Sequence, residues 1–88
     1  MKYFAAILTL GDSSKSQENR PHHLAHLERG EREGFIFARG RFSDGAGGLI
    51  IYRADSLEEA GRLAGQDPYV ASGARSLELH EWDMLLAK

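Results

Sequence analysis

The sequence predicts an α+β fold with the element order β-α-β-β-α-β, the split βαβ arrangement of ferredoxin-like domains. Three observations carry that prediction. Four short segments are rich in β-branched, aromatic and other apolar residues: 2–10, 35–39, 49–53 and 76–84. Two segments with helix start and stop signals separate the first strand from the second and the third from the fourth. Only a glycine-rich turn joins the second and third strands, so those two form a hairpin.

Lys2-Tyr3-Phe4-Ala5-Ala6-Ile7-Leu8-Thr9-Leu10 reads as the first strand, and Gly11 to Asn19, small and polar, as a loop. Pro21 suits the first turn of a helix, because its missing N–H would have no partner there. The spacing of Leu24, Ala25 and Leu27 predicts a helix from about Asn19 or Arg20 at the cap to about Glu33. Gly30 weakens this helix, and Gly34 is a natural stop. Phe35 to Arg39 is the second strand, Gly40 to Gly48 a turn centred on Asp44-Gly45, and Leu49 to Arg53 the third strand. Ser56-Leu57-Glu58-Glu59 is a capping box. Behind it, Leu57, Ala60, Gly61 and Ala64 give a second helix a small-residue face for packing on a sheet, and Asp67-Pro68 ends it. In the fourth strand, Leu77 and Leu79 face one way and Glu78, His80 and Trp82 the other.

Eighty-eight residues make a single domain over 1–88. A chain this short buries only roughly 60–65% of its unfolded surface, so a monomer needs disulfides, metal or a partner for comfortable stability. It has no cysteine, which excludes disulfides and thiolate metal sites. Eleven basic residues against 13 acidic ones, a net charge of −2, give no reason to expect nucleic acid. No apolar run reaches membrane-spanning length, and Met1 to Leu10 lacks a signal-peptide pattern. The chain reads as soluble and cytoplasmic.

In this fold both helices cover one face of the sheet, and the other face should be polar. Here strand one sets Tyr3, Ala5 and Ile7 against Phe4, Ala6 and Leu8; strand two sets Phe35 and Phe37 against Ile36 and Ala38; strand three sets Leu49 and Ile51 against Ile50 and Tyr52. Both faces are apolar in three of four strands. The sheet of a second copy is the expected cover, giving a homodimer.

Four motifs give the chain a resemblance to the YciI-like (YCII-related) family of dimeric α+β-barrel proteins. They are Arg20-Pro21-x-His23-Leu24, Gly40-Arg41-Phe42-Ser43-Asp44-Gly45, Ser56-Leu57-Glu58-Glu59-Ala60 and Asp67-Pro68-Tyr69-Val70-x-x-Gly73. The resemblance runs over nearly the whole chain. It implies a ferredoxin-like protomer whose sheets pack into a dimeric barrel, and a site holding a histidine, which falls on His23, and an aspartate, which falls on Asp67. The wider superfamily includes isomerases, monooxygenases and dehalogenating enzymes of hydroxylated aromatic or lactone compounds, so the resemblance implies a site more strongly than a reaction.

The residues themselves support a candidate dyad. Histidine titrates near neutrality, and a carboxylate can orient it for proton transfer. His23 near a helix start is disfavoured as a cation by the helix dipole, which keeps it neutral and able to accept a proton. Asp67 could orient it, or could simply serve an Asp-Pro turn. Asp44 is the second candidate partner, with a turn-forming role as its alternative. Arg20 could pair with an anionic substrate group, and Tyr69 could donate a hydrogen bond into the pocket. His22 and His26, four apart, have metal-ligand spacing, but without a supporting motif they read as a solvated helix face; His26 could also flank the pocket of His23. Trp82 reads as interface core. The glycines near Asp44 have no following Lys-Ser and no helix, which rejects a phosphate-binding P-loop.

The expected function is cofactor-free acid–base chemistry, an elimination or isomerisation of lyase type on a small cyclic or hydroxylated aromatic compound, with no metal. The alternative is a non-catalytic module that binds a small ligand or acts as a dimeric accessory.

Overall fold

The computed structural model describes residues 1–87; Lys88, the last residue of the expected domain, lies outside the described residues. Strands β1 (Lys2–Leu10), β2 (Ile36–Arg41), β3 (Gly47–Ala54) and β4 (Arg75–Trp82) are joined by helices α1 (Ser13–Glu33), α2 (Leu57–Gly65) and α3 (Pro68–Ala71). The sheet order is β2-β3-β1-β4, and every neighbouring pair is antiparallel. β1 and β2 therefore run the same way with β3 between them, as the βαββαβ order requires. The fold is α+β and ferredoxin-like.

The period-two pattern of a strand decides which side chains form the core. Phe4, Ala6 and Leu8 of β1 and Ile50, Tyr52 and Ala54 of β3 point to the helical side, where they meet Leu27 of α1 and Ala60, Leu63 and Ala64 of α2. Residues of the opposite parity form the open face. Tyr3 and Phe37 meet edge to face at 5.1 Å, and the Arg53 guanidinium lies 4.7 Å over the Phe37 ring. Phe37 is 37% exposed and Trp82 44%. Ile51, also on this side, is buried but does not belong to the core cluster. Arg53, Glu78 and His80 give the face a more mixed character than the pattern of the first three strands suggests.

Helix α1 departs from expectation. It starts at Ser13 and passes through Pro21. The cap is Asp12, whose side chain accepts from the Lys15 amide at 3.0 Å. The Asp12 amide is itself tied to the Ala74 carbonyl at 2.9 Å, so the helix start is moored beside the entry to β4. A helix-interior proline costs on the order of 3 kcal/mol, and this cap together with the packing of the α1 face outweighs it. Reading Pro21 as the first turn therefore placed the start too late.

The helix ends as expected at Gly34, which takes a left-handed φ of 88° and donates its amide to the Gly30 carbonyl. Gly30 has a packing reason: a Cβ there would come within 2.4 Å of the Ile36 side chain. In α2 the Ser56 hydroxyl accepts from the Glu59 amide at 3.1 Å, and Glu59 reaches back to the Asp55 amide. Asp67-Pro68 does more than end α2. Asp67 caps the short α3, with Pro68 at its first position. No helix among the described residues is long and apolar enough to cross a membrane.

Candidate active site

Two elements far apart in sequence meet on the helical side: the middle of α1 and the start of α3. Asp67 is fully buried. One carboxylate oxygen accepts the Tyr69 amide at 2.9 Å, which is the local reason for its place at the cap. The same carboxylate contacts His23 Nδ1 through both oxygens, at 2.8 and 3.0 Å. An ionised carboxylate only accepts, so Nδ1 carries the proton and donates. In the neutral ring Nε2 then keeps its lone pair, and it has no hydrogen-bond partner among the described residues.

The imidazole is fixed in plane as well as in tautomer. It stacks on the Tyr69 ring at 3.8 Å between centroids, 13° from parallel. The Arg75 guanidinium lies 4.3 Å over that same tyrosine. His23 keeps 12% of its side chain exposed and lines a cleft of about 290 Å³. Arg20 and Tyr69 line it too, with the apolar Leu24, Leu27 and Ile50 as its floor. The volume lies at the small end of ligand sites, suited to a single-ring compound.

The structure thus brings His23, Asp67, Tyr69 and Arg20 together. Asp44 stays apart: it is exposed, its carboxylate accepts the Ala46 amide at 2.9 Å within its own turn, and it does not line the cleft. The alternative partner for His23 is therefore occupied as a turn former. The dipole argument for a neutral His23 does not apply either. His23 sits mid-helix, and the field of the macrodipole falls off within the first turn.

His26 is also corrected. It is buried at 6% exposure, and its Nε2 shares a hydrogen bond with the Tyr52 hydroxyl at 2.9 Å. Burial lowers its pKa from the usual 6.5, against the attraction of Asp67, with Arg29 and His23 adding to the decrease. Burial, with the charge of Asp67 second, raises Tyr52 above its ordinary range. This neutral pair lies under the dyad and shares its electrostatics. His22 remains exposed. Among the described residues no three His, Asp or Glu side chains converge to hold a metal.

The sequence reading missed Tyr52 and three further cleft arginines, Arg39, Arg41 and Arg75. The alternation Arg39-Gly40-Arg41 was the only local sign that two of them share one side of a strand.

The YCII-related domain matches residues 1–83. Uncharacterized protein YjpA of Bacillus subtilis (strain 168) is 38% identical over 82 residues, covering 93% of this chain and 96% of that protein. The chain belongs to the YCII-related family. A solved structure of the same fold is 5-chloro-2-hydroxyhydroquinone dehydrochlorinase from Burkholderia phenoliruptrix AC1100, in complex with 2,5-dihydroxybenzoquinone. It superposes with a TM-score of 0.75 at 22% identity, covering 92% of this chain and 93% of that one. At that identity the likeness is one of fold.

Proposed function

We propose that the protein is an enzyme performing acid–base chemistry on a small cyclic, hydroxylated compound, with His23 as the proton acceptor and Asp67 as the group that orients it. The observation that carries this reading is the buried Asp67 carboxylate on His23 Nδ1 at 2.8 and 3.0 Å, which leaves Nε2 unpartnered beside a cleft. His23 Nε2 removes a proton from a ring hydroxyl or an acidic C–H. The electron pair released moves into the ring and either expels a leaving group or shifts a double bond. The imidazolium then gives its proton to solvent, or back to the ring at another carbon. Asp67 stabilises the imidazolium while it lasts. Arg20 contacts the negative charge that develops on the substrate, and Tyr69 holds the imidazole plane. The fold likeness to a dehydrochlorinase of a hydroxyhydroquinone supports this substrate class.

We further propose a homodimer through the open sheet face. Tyr3, Phe37, Leu49 and Trp82 leave apolar surface there that the helices do not cover.

The test is turnover of a panel of hydroxylated and halogenated single-ring compounds, followed by ultraviolet absorbance and by halide release. The wild type should convert at least one, and His23→Ala should be slower by roughly 10²–10⁴-fold. Equal rates for the two proteins on every converted compound would refute the assignment.

A further inference from the structure

The charge lining the cleft specifies a ligand feature that the dyad does not. Four arginines line it, Arg20, Arg39, Arg41 and Arg75, and no carboxylate does. The whole chain carries −2, so this concentration is local. The four come from three elements: α1, β2 and the first residue of β4. Arg39 and Arg41 are paired in register with Ile50 and Gly48, which places both on the helical side.

Arg39 is engaged by Glu31 at 3.3 and 3.4 Å. Arg20, Arg41 and Arg75 have no carboxylate within ion-pair distance among the described residues. Arg75 is the most committed of them. Its guanidinium packs on Tyr69, and its Nε is buried with no acceptor among the described residues. Like charges gathered in one cleft repel, and a buried donor without an acceptor is costly. The repulsion falls when an oxyanion enters, because guanidinium groups match a carboxylate geometrically.

We infer that the ligand is a ring compound bearing an ionised carboxylate, which Arg41 and Arg75 hold while the ring lies against His23 and Arg20 faces the charge that develops on it. This rests on the reading of the cleft as the site of a small-ring substrate. It adds to that reading that a hydroxyl alone does not satisfy the site.

The experiment is calorimetric titration of the full chain at pH 7 and low ionic strength with 2,5-dihydroxybenzoate, hydroquinone and inorganic phosphate. The carboxylate compound should bind at least tenfold more tightly than hydroquinone, and added salt should erode the difference. Arg41→Gln and Arg75→Gln should each weaken it by roughly ten- to a hundredfold, while Arg32→Gln, on an exposed residue outside the cleft, should not. Arg75 packs on Tyr69, so that variant could lose its fold; the exposed Arg41 then carries the test. Equal affinity for the two ring compounds, unchanged binding in Arg41→Gln, or phosphate binding as tightly as dihydroxybenzoate would each overturn the inference. The two readings fail separately. Loss of turnover in His23→Ala with no carboxylate preference leaves the acid–base chemistry standing and removes the subsite. A carboxylate preference, kept in His23→Ala, with no His23-dependent turnover of any compound does the reverse.

Discussion

Asp67 does two jobs with one carboxylate, and two substitutions should separate them. In Asp67→Asn the amide oxygen can still accept the Tyr69 amide, now at 2.9 Å, so the cap of α3 survives. The amide must then either accept the Nδ1 proton with a neutral oxygen or turn its NH₂ toward Nδ1 and hold the ring in the wrong tautomer. Stability should fall by about 1 kcal/mol or less, the difference between a charged and a neutral acceptor. The rate should fall by roughly 10²–10⁴-fold, because no negative charge remains to stabilise the imidazolium.

Asp67→Ala removes both functions. The cap is worth about 0.5–2 kcal/mol, and the buried charge-assisted bond about 1.5–3 kcal/mol. Relief of the desolvation of a buried charge offsets part of this, leaving a loss of about 2–4 kcal/mol. In a domain of this size each kcal/mol moves Tm by about 4–8 °C, so Asp67→Ala should melt at least about 8 °C below wild type and Asp67→Asn well under that. Long-range ¹⁵N–¹H spectra of the imidazoles read the tautomer without any substrate. At a pH where His23 is neutral, the wild type should carry the proton on Nδ1, and Asp67→Asn should show a mixture or the Nε2-protonated form. A wild-type His23 protonated on Nε2, or an Asp67→Asn variant as destabilised as Asp67→Ala, would refute the argument.

Three other outcomes are expected. His22→Ala, at an exposed position, should leave turnover within about twofold of wild type while His23→Ala loses it; equal losses would point to a folding defect common to both. Leu8→Asp puts a charge into the core at a site 2% exposed and should abolish the folded state by circular dichroism, whereas Phe37→Asp, at a site 37% exposed on the open face, should yield monomers by light scattering with the helices intact; a dimeric Phe37→Asp would rule out that interface. Because burial holds His26 below its usual 6.5, the unfolded chain binds this proton more readily than the folded one. Stability from the neutral ring is then fully present above about 6.5 and drains as pH falls through the folded value. Urea midpoints should drop more steeply between pH 7 and 5 for wild type than for His26→Gln, and parallel slopes would remove His26 as the cause.

Legibility in the sequence followed the range of the interactions. The strands, the Ser56 cap and the Gly34 stop are local, and the cap, the stop and β1 lie where the pattern put them; β2 and β3 run further into the glycine-rich turn than expected, β4 ends at Trp82, and a bulge between Ile36 and Ala38 sends Phe35 to the core and leaves Phe37 on the open face. The start of α1 was not legible, because two local signals conflict there. Pro21 advertises a first turn and Asp12 a cap, and the winner depends on a hydrogen bond from the Asp12 amide to Ala74, a residue from the far end of the chain. His26 was misread for the same reason. Its i, i+4 relation to His22 says nothing about Tyr52, which reaches it from β3 and turns an exposed-looking imidazole into a buried, hydrogen-bonded one. The cleft arginines could not be assembled from sequence at all, since only the crossing of α1, β2 and β4 brings them together.

The two descriptions of Asp67 offered by the sequence, a turn residue and a dyad carboxylate, turn out not to compete. The oxygen that accepts the Tyr69 amide is one of the two that contact His23. Tyr69, placed by that same cap, stacks on the imidazole and meets Arg75. The start of α3 therefore fixes the tautomer of the histidine, its plane, and the position of one cleft cation together. In a domain with so little core, placing Asp67 on a helix start lets the hydrogen bonds that hold the fold also hold the imidazole in the geometry the proposed reaction needs. Its consequence is that substitutions at Asp67 or Tyr69 should change stability and chemistry together, whereas those at Arg41, on the exposed wall, should change binding alone.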